Sequence, residues 1–129
     1  MQSKDYIQAC LRTESDMMPM KKHNRLLHGT MGLNTESGEI LDAVKKVLFY
    51  GQETDFVNIK EEMGDIFWYL AILCDQLGTT FEELMAMNVK KLITRYPSIF
   101  TPECALVRSL EEERKVLEGD TCGSPDRHS

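Results

Sequence analysis

The chain reads as all-α, a bundle of four to five helices per protomer completed by oligomerisation. Three observations predict this class. Apolar residues recur at helical spacing, most clearly at Ile40, Leu41, Val44, Val47 and Leu48. Helix stops and starts punctuate the chain, with Gly51 and Gly78 after two apolar stretches and Thr80-Phe81-Glu82-Glu83 in the form of a capping box. No segment alternates apolar and polar residues with period two over a useful length, so no strand is predicted.

Taken in order, Ser3 is placed as the N-cap of a first helix whose apolar stripe is Tyr6, Ile7, Cys10 and Leu11. Met17-Met18-Pro19 ends it. A second helix begins near Met20 and runs to Tyr50. Gly29, Gly32 and Gly38 each cost it about 1 kcal/mol relative to alanine, so either the helix is long and the glycines permit close packing, or it breaks near Gly32; the long helix is the preferred reading. The third helix starts at Thr54 or Asp55 and stops at Gly78. From Ile66 to Cys74 it is apolar on nearly every side, a pattern of burial all round that in so small a domain asks for a partner subunit. A fourth helix follows the capping box and reaches Tyr96, where Pro97 closes it. A fifth is expected from Glu103 to about Glu118, with a thin stripe of Leu106, Leu110 and Leu117.

At 129 residues with 42% hydrophobic and 28% charged content, the chain is long enough for one cored domain. That domain is placed at 1–118, and the polar, turn-rich 119–129 is read as a disordered tail. The net charge of −6 argues against a nucleic-acid polymer or an anionic membrane as partner. The longest apolar run is far short of the ~20 residues a spanning helix needs. The four cysteines, Cys10, Cys74, Cys104 and Cys122, are scattered without a CxxC pair. With no apolar signal core at the N-terminus, a soluble, reduced, cytoplasmic setting is expected.

The chemistry concentrates in two acidic clusters, Glu36-Ser37-Gly38-Glu39 and Glu62-Met63-Gly64-Asp65, with 22 residues between Glu39 and Glu62. Helical residues three apart share a face, so each cluster aims two carboxylates the same way. Two like charges ~4 Å apart repel by roughly 4 kcal/mol at an effective dielectric of ~20. Four carboxylates converging from two antiparallel helices therefore call for a cation. Most ExxE pairs are ordinary solvated charge. Here, however, Glu39 runs straight into Ile40-Leu41 and Asp65 into the most apolar helix of the chain. Oxygen-only ligands suit a hard ion, Mg²⁺ or Mn²⁺, over zinc. Neither cluster has the histidine at its third position that carboxylate-bridged di-iron bundles use.

On the fourth helix Asn88, Lys91 and Arg95 fall at steps of three and four, a donor stripe for polyphosphate oxygens or else an ordinary basic edge. His28 and Trp68 are candidates for contacting a nucleobase, each with an alternative reading as a packing residue.

Three ordered blocks carry a family resemblance: Thr35-Glu36-Ser37-Gly38-Glu39-Ile40, then Glu61-Glu62-Met63-Gly64-Asp65-Ile66-Phe67-Trp68-Tyr69-Leu70-Ala71, then Asn88-Val89-Lys90-Lys91-Leu92 with Arg95-Tyr96-Pro97. Together they resemble the MazG-like all-α nucleoside-triphosphate pyrophosphohydrolases, whose pattern is ExxE, a spacer, then ExxD. The resemblance runs from about His23 to Thr101. It implies a homodimer or homotetramer, with Mg²⁺ (or Mn²⁺) held by Glu36, Glu39, Glu62 and Asp65. It further implies cleavage of a (deoxy)nucleoside triphosphate between the α and β phosphates, to clear or balance a nucleotide pool. By position, Glu36 or Glu39 would serve as the base that orients the attacking water, and Asn88, Lys91 and Arg95 would contact the triphosphate. Some relatives carry an extra acidic residue directly before the first motif glutamate; Thr35 stands there in this chain. Two rival readings accompany this one. Phosphoribosyl-ATP pyrophosphohydrolase shares the fold and the metal chemistry, and a non-catalytic helical interaction module would keep the acidic face without turnover.

Overall fold

The computed structural model describes residues 1–15, 22–96, 101 and 109–119. Expectations that fall on other residues lie outside that range. They are the end of the first helix at Met17-Met18-Pro19, the start of the second near Met20, the Pro97 stop, the onset of the fifth helix at Glu103 with Leu106, and the tail beyond Gly119. The described residues form five helices and no strand: α1 (Ser3–Leu11), α2 (Lys22–Tyr50), α3 (Phe56–Leu77), α4 (Phe81–Arg95) and α5 (Leu110–Glu118). None of them is long and apolar enough to cross a membrane. The chain divides into two compact units, 1–81 and 82–129.

The first unit is built on the antiparallel pair of α2 and α3. Its register is read from three levels: Gly29 against Leu73, Gly32 against Tyr69, and Glu36 with Glu62 and Asp65. The long α2 survives its glycines because two of them are where α3 comes closest. A Cβ on Gly32 would lie 2.1 Å from the Tyr69 ring, and one on Gly29 would lie 2.6 Å from Leu73. Gly38, by contrast, has nothing within 4 Å of its would-be Cβ. At the end of α2, Gly51 takes a left-handed φ of +65°, which an L side chain rarely adopts.

α3 is capped at both ends. Asp55 Oδ1 accepts from the backbone N–H groups of Val57 and Asn58, each at 3.0 Å, a kind of cap worth about 1 kcal/mol. Gly78 closes the helix in the left-handed region, its N–H directed to Asp75 O and Cys74 O. Ala71 and Ile72 are fully buried and Cys74 nearly so. Full burial of a side chain such as Ile72 contributes about 1.5–3 kcal/mol. Within the chain, α1 lays Ile7 and Cys10 against Ala71 and Cys74, with Tyr6, Leu11, Trp68 and Phe81 at the margin.

One correction concerns α1. Ser3 is its first helical residue and is buried, while Gln2 occupies the N-cap and makes no side-chain cap bond. The segment after α1 is tied down by Arg25 of α2. Its guanidinium takes both Glu14 oxygens at 2.8 Å and reaches Asp75 of α3 at 2.9 Å. Glu14 foremost, then Asp75, holds the Arg25 pKa above its ordinary value.

Exposed apolar side chains remain in quantity. On α2, Leu27, Met31, Leu41 and Leu48 are all more than half exposed, and Phe67 of α3 is half exposed. Leu27, Met31, Gly38, Leu41 and Leu48 fall at coiled-coil intervals on α2.

The second unit contains α4 and α5. α5 begins with Glu111, Glu112 and Glu113 and carries Lys115 in its last turn, the arrangement that a helix dipole favours. Glu113 is buried against Arg95 of α4, accepting from Nε at 2.8 Å and from Nη2.

Candidate metal and substrate site

The α2–α3 register brings Glu36, Glu62 and Asp65 together, with one oxygen from each within 4.8 Å of the others. Glu36 and Glu62 are half-buried and Asp65 is exposed. Glu39 lies one turn further along α2, is exposed, and stands outside this group. Three oxygens at this separation, all from carboxylates, fit a hard divalent cation by number and by chemistry.

Electrostatics registers the crowding. Burial pushes the Glu36 carboxyl above its ordinary value. A hydrogen bond with Glu62 and the charges of Asp65 and Glu62 push it the same way, against a smaller opposing effect of Thr35. Carboxylates gathered this closely repel one another, so each disfavours ionisation of its neighbour. Thr35 Oγ1 lies 3.2 Å from Glu36 Oε1 and 2.9 Å from Gly32 O, so one hydroxyl hydrogen serves two acceptors.

A residue not singled out by motif completes this region. Asn58 Nδ2 donates to Glu62 Oε1 at 2.8 Å. The i,i+4 interval between Asn58 and Glu62 is the sequence signal that would have found it. α1 also comes near: Asp65 helps hold the Tyr6 phenol at about 12, behind burial and a hydrogen bond with Cys10.

Trp68 and His28 sit in an aromatic group with Tyr69. Trp68 meets Tyr69 edge to face at 5.0 Å, and His28 meets Tyr69 at 5.6 Å and Trp68 at 6.3 Å. The Trp68 indole N–H donates to Thr13 Oγ1 at 2.7 Å, so its polar edge is used within the chain. His28 Nδ1 is buried with no hydrogen-bond partner. An unsatisfied buried group of that kind costs about 1–3 kcal/mol, which a hydrogen-bonding ligand would relieve.

The donor stripe lies on α4 in the second unit. Asn88 is exposed and Lys91 half-buried. Arg95 is committed elsewhere: Glu113 takes its fork and holds its pKa above the ordinary value, and its guanidinium carbon lies 5.8 Å from the centre of the Tyr96 ring.

These features define an all-α protein whose acidic side chains converge across an antiparallel helix pair. The chain belongs to the MazG nucleotide pyrophosphohydrolase domain family, whose model matches residues 22–100. The match spans α2, α3 and α4 and omits α1 and α5. A curated relative, the Gene 37 protein of Mycobacterium phage L5, is 36% identical over 77 residues, covering 54% of this chain and 65% of the relative. The chain thus spans just under two thirds of that protein's length. No solved structure matches it.

Proposed function

We propose that this protein is a Mg²⁺-dependent nucleotide pyrophosphohydrolase that converts a (deoxy)nucleoside triphosphate and water to the monophosphate and pyrophosphate. The observation that carries the reading is the meeting of Glu36, Glu62 and Asp65 within 4.8 Å, in a chain of this family. Glu36, Glu62 and Asp65 would hold a divalent cation, whose charge would offset the negative charge of the polyphosphate and make a water easier to deprotonate. Glu39, exposed and outside that trio, is the carboxylate left to accept a proton from water. For the triphosphate, Asn88 and Lys91 carry the proposal better than Arg95, whose charge is already matched by Glu113.

The exposed apolar side chains of Leu27, Met31, Leu41 and Leu48, at coiled-coil intervals on α2, support assembly as a homodimer or homotetramer. The test is pyrophosphate release from canonical and deaminated deoxynucleoside triphosphates and from phosphoribosyl-ATP. Release from a nucleoside triphosphate with Mg²⁺ and none in excess EDTA is expected. Undiminished release in EDTA, or none from any triphosphate, would overturn the proposal.

A further inference from the structure

We propose that Asn58 is a positioning residue that fixes the Glu62 carboxylate for cation binding; this rests on the divalent-cation reading of the site. Asn58 stands in the first turn of α3, where its backbone N–H is held by the N-cap Asp55 at 3.0 Å. Its side-chain amide reaches one turn forward to Glu62 Oε1 at 2.8 Å. An ionised carboxylate only accepts hydrogen bonds, so the amide nitrogen, and not its oxygen, faces Glu62. The chain from cap to ligand is continuous: Asp55 sets the first turn, the first turn sets Asn58, and Asn58 sets Glu62.

The chemistry of the donor matters. A glutamate carries three rotatable bonds, and ordering it at the moment of cation binding costs affinity. A bond made during folding removes that cost beforehand, which is the purpose of outer partners to metal ligands. Asn58 does this as a neutral donor, so Glu62 keeps its full negative charge for the cation. An ammonium at the same place would spend that charge, as Lys45 and Lys46 do for Asp42.

The experiment reads Mn²⁺ binding to the full chain without nucleotide, by electron paramagnetic resonance. Asn58→Leu should weaken Mn²⁺ binding about 10- to 100-fold, the usual effect of removing an outer-shell partner. Asn58→Gln, which retains the amide donor, should restore most of the affinity and the wild-type Mn²⁺ line shape. In turnover, Asn58→Leu should raise the Mg²⁺ concentration needed for half-maximal rate while leaving kcat at saturating Mg²⁺ near the wild-type value. Asn58→Ala, read beside a melting curve, keeps the test decisive if leucine disturbs the first turn. Wild-type Mn²⁺ affinity in folded Asn58→Leu or Asn58→Ala, alongside loss of binding in Glu62→Gln, would overturn the positioning role alone. Unchanged binding in Glu62→Gln would overturn the cation site itself.

Discussion

Two acidic places on α2, six residues apart, shift in opposite directions. Asp42 is paired with Lys45 at 2.6 Å and Lys46 at 2.8 Å, which draw its pKa down to about 2. Glu36 faces Glu62 and Asp65 of α3, and burial with those neighbours pushes its carboxyl up. The difference lies in how each is made. Asp42 finds its cations three and four residues along the same helix, so local sequence neutralises it. Glu36 finds its neighbours across the helix crossing, and those neighbours are carboxylates. The first is an ordinary exposed ion-pair cluster, while the second is an electrostatic deficit that a divalent cation would fill.

The comparison breaks most visibly at Glu62. Glu62→Gln should lower pyrophosphate release at least about 100-fold, because even outer-shell partners of a metal ligand cost 10- to 100-fold. Far-ultraviolet circular dichroism should be unchanged, and near-wild-type release would remove the site from the mechanism. Next in size, Mg²⁺ at ~100 times its dissociation constant should stabilise the folded chain by about 2.7 kcal/mol. The melting midpoint should rise on adding Mg²⁺, fall back in EDTA, and stay unmoved in Glu62→Gln.

Glycine substitutions separate the packed part of the helix pair from its acidic end. Gly32→Ala drives a methyl into the Tyr69 ring at 2.1 Å and should destabilise the fold by about 1–3 kcal/mol in a denaturant titration. Gly38→Ala meets nothing within 4 Å and should instead stabilise the chain by about 0.4–1 kcal/mol.

The smallest effect belongs to Asp42. Its folded pKa lies below the unfolded value of ~3.9. Its contribution is therefore present above about pH 4 and lost as the pH falls toward about 2. The melting midpoint of Asp42→Asn should sit slightly below wild type at neutral pH. That gap should close in acid and shrink at about 1 M salt, where screening shortens to a few ångströms. Pyrophosphate release by Asp42→Asn should stay within about twofold of wild type, as befits an exposed pair. A larger loss would mean that Asp42 belongs with the Glu36 group.

Much of the scaffold was legible because helices announce themselves locally. Asp55 and Gly78 bound α3 where the caps predicted, and α2 continues through Gly29 and Gly32. Other features were not local and so were not legible. Gln2, not Ser3, stands at the N-cap of α1, and Ser3 is buried along with Ile7 and Cys10. Arg95 carries the right spacing for a phosphate donor, yet Glu113 from a later helix claims its guanidinium. Nothing in the Asn88-Lys91-Arg95 stripe hints at that claim. Trp68 spends its indole N–H on Thr13, 55 residues away.

By itself the sequence determined that this protein is helical, where α3 starts and stops, and which residues carry paired carboxylates at a three-residue step. These follow from backbone geometry and from capping groups a few residues away. Only the tertiary structure decided which carboxylates meet. Tyr69 and Leu73 seat against Gly32 and Gly29, and that seam sets the register of α2 on α3. The register selects Glu36, Glu62 and Asp65 and leaves Glu39 outside. A period of 3.6 residues can aim side chains to one face, but convergence depends on where two helices touch.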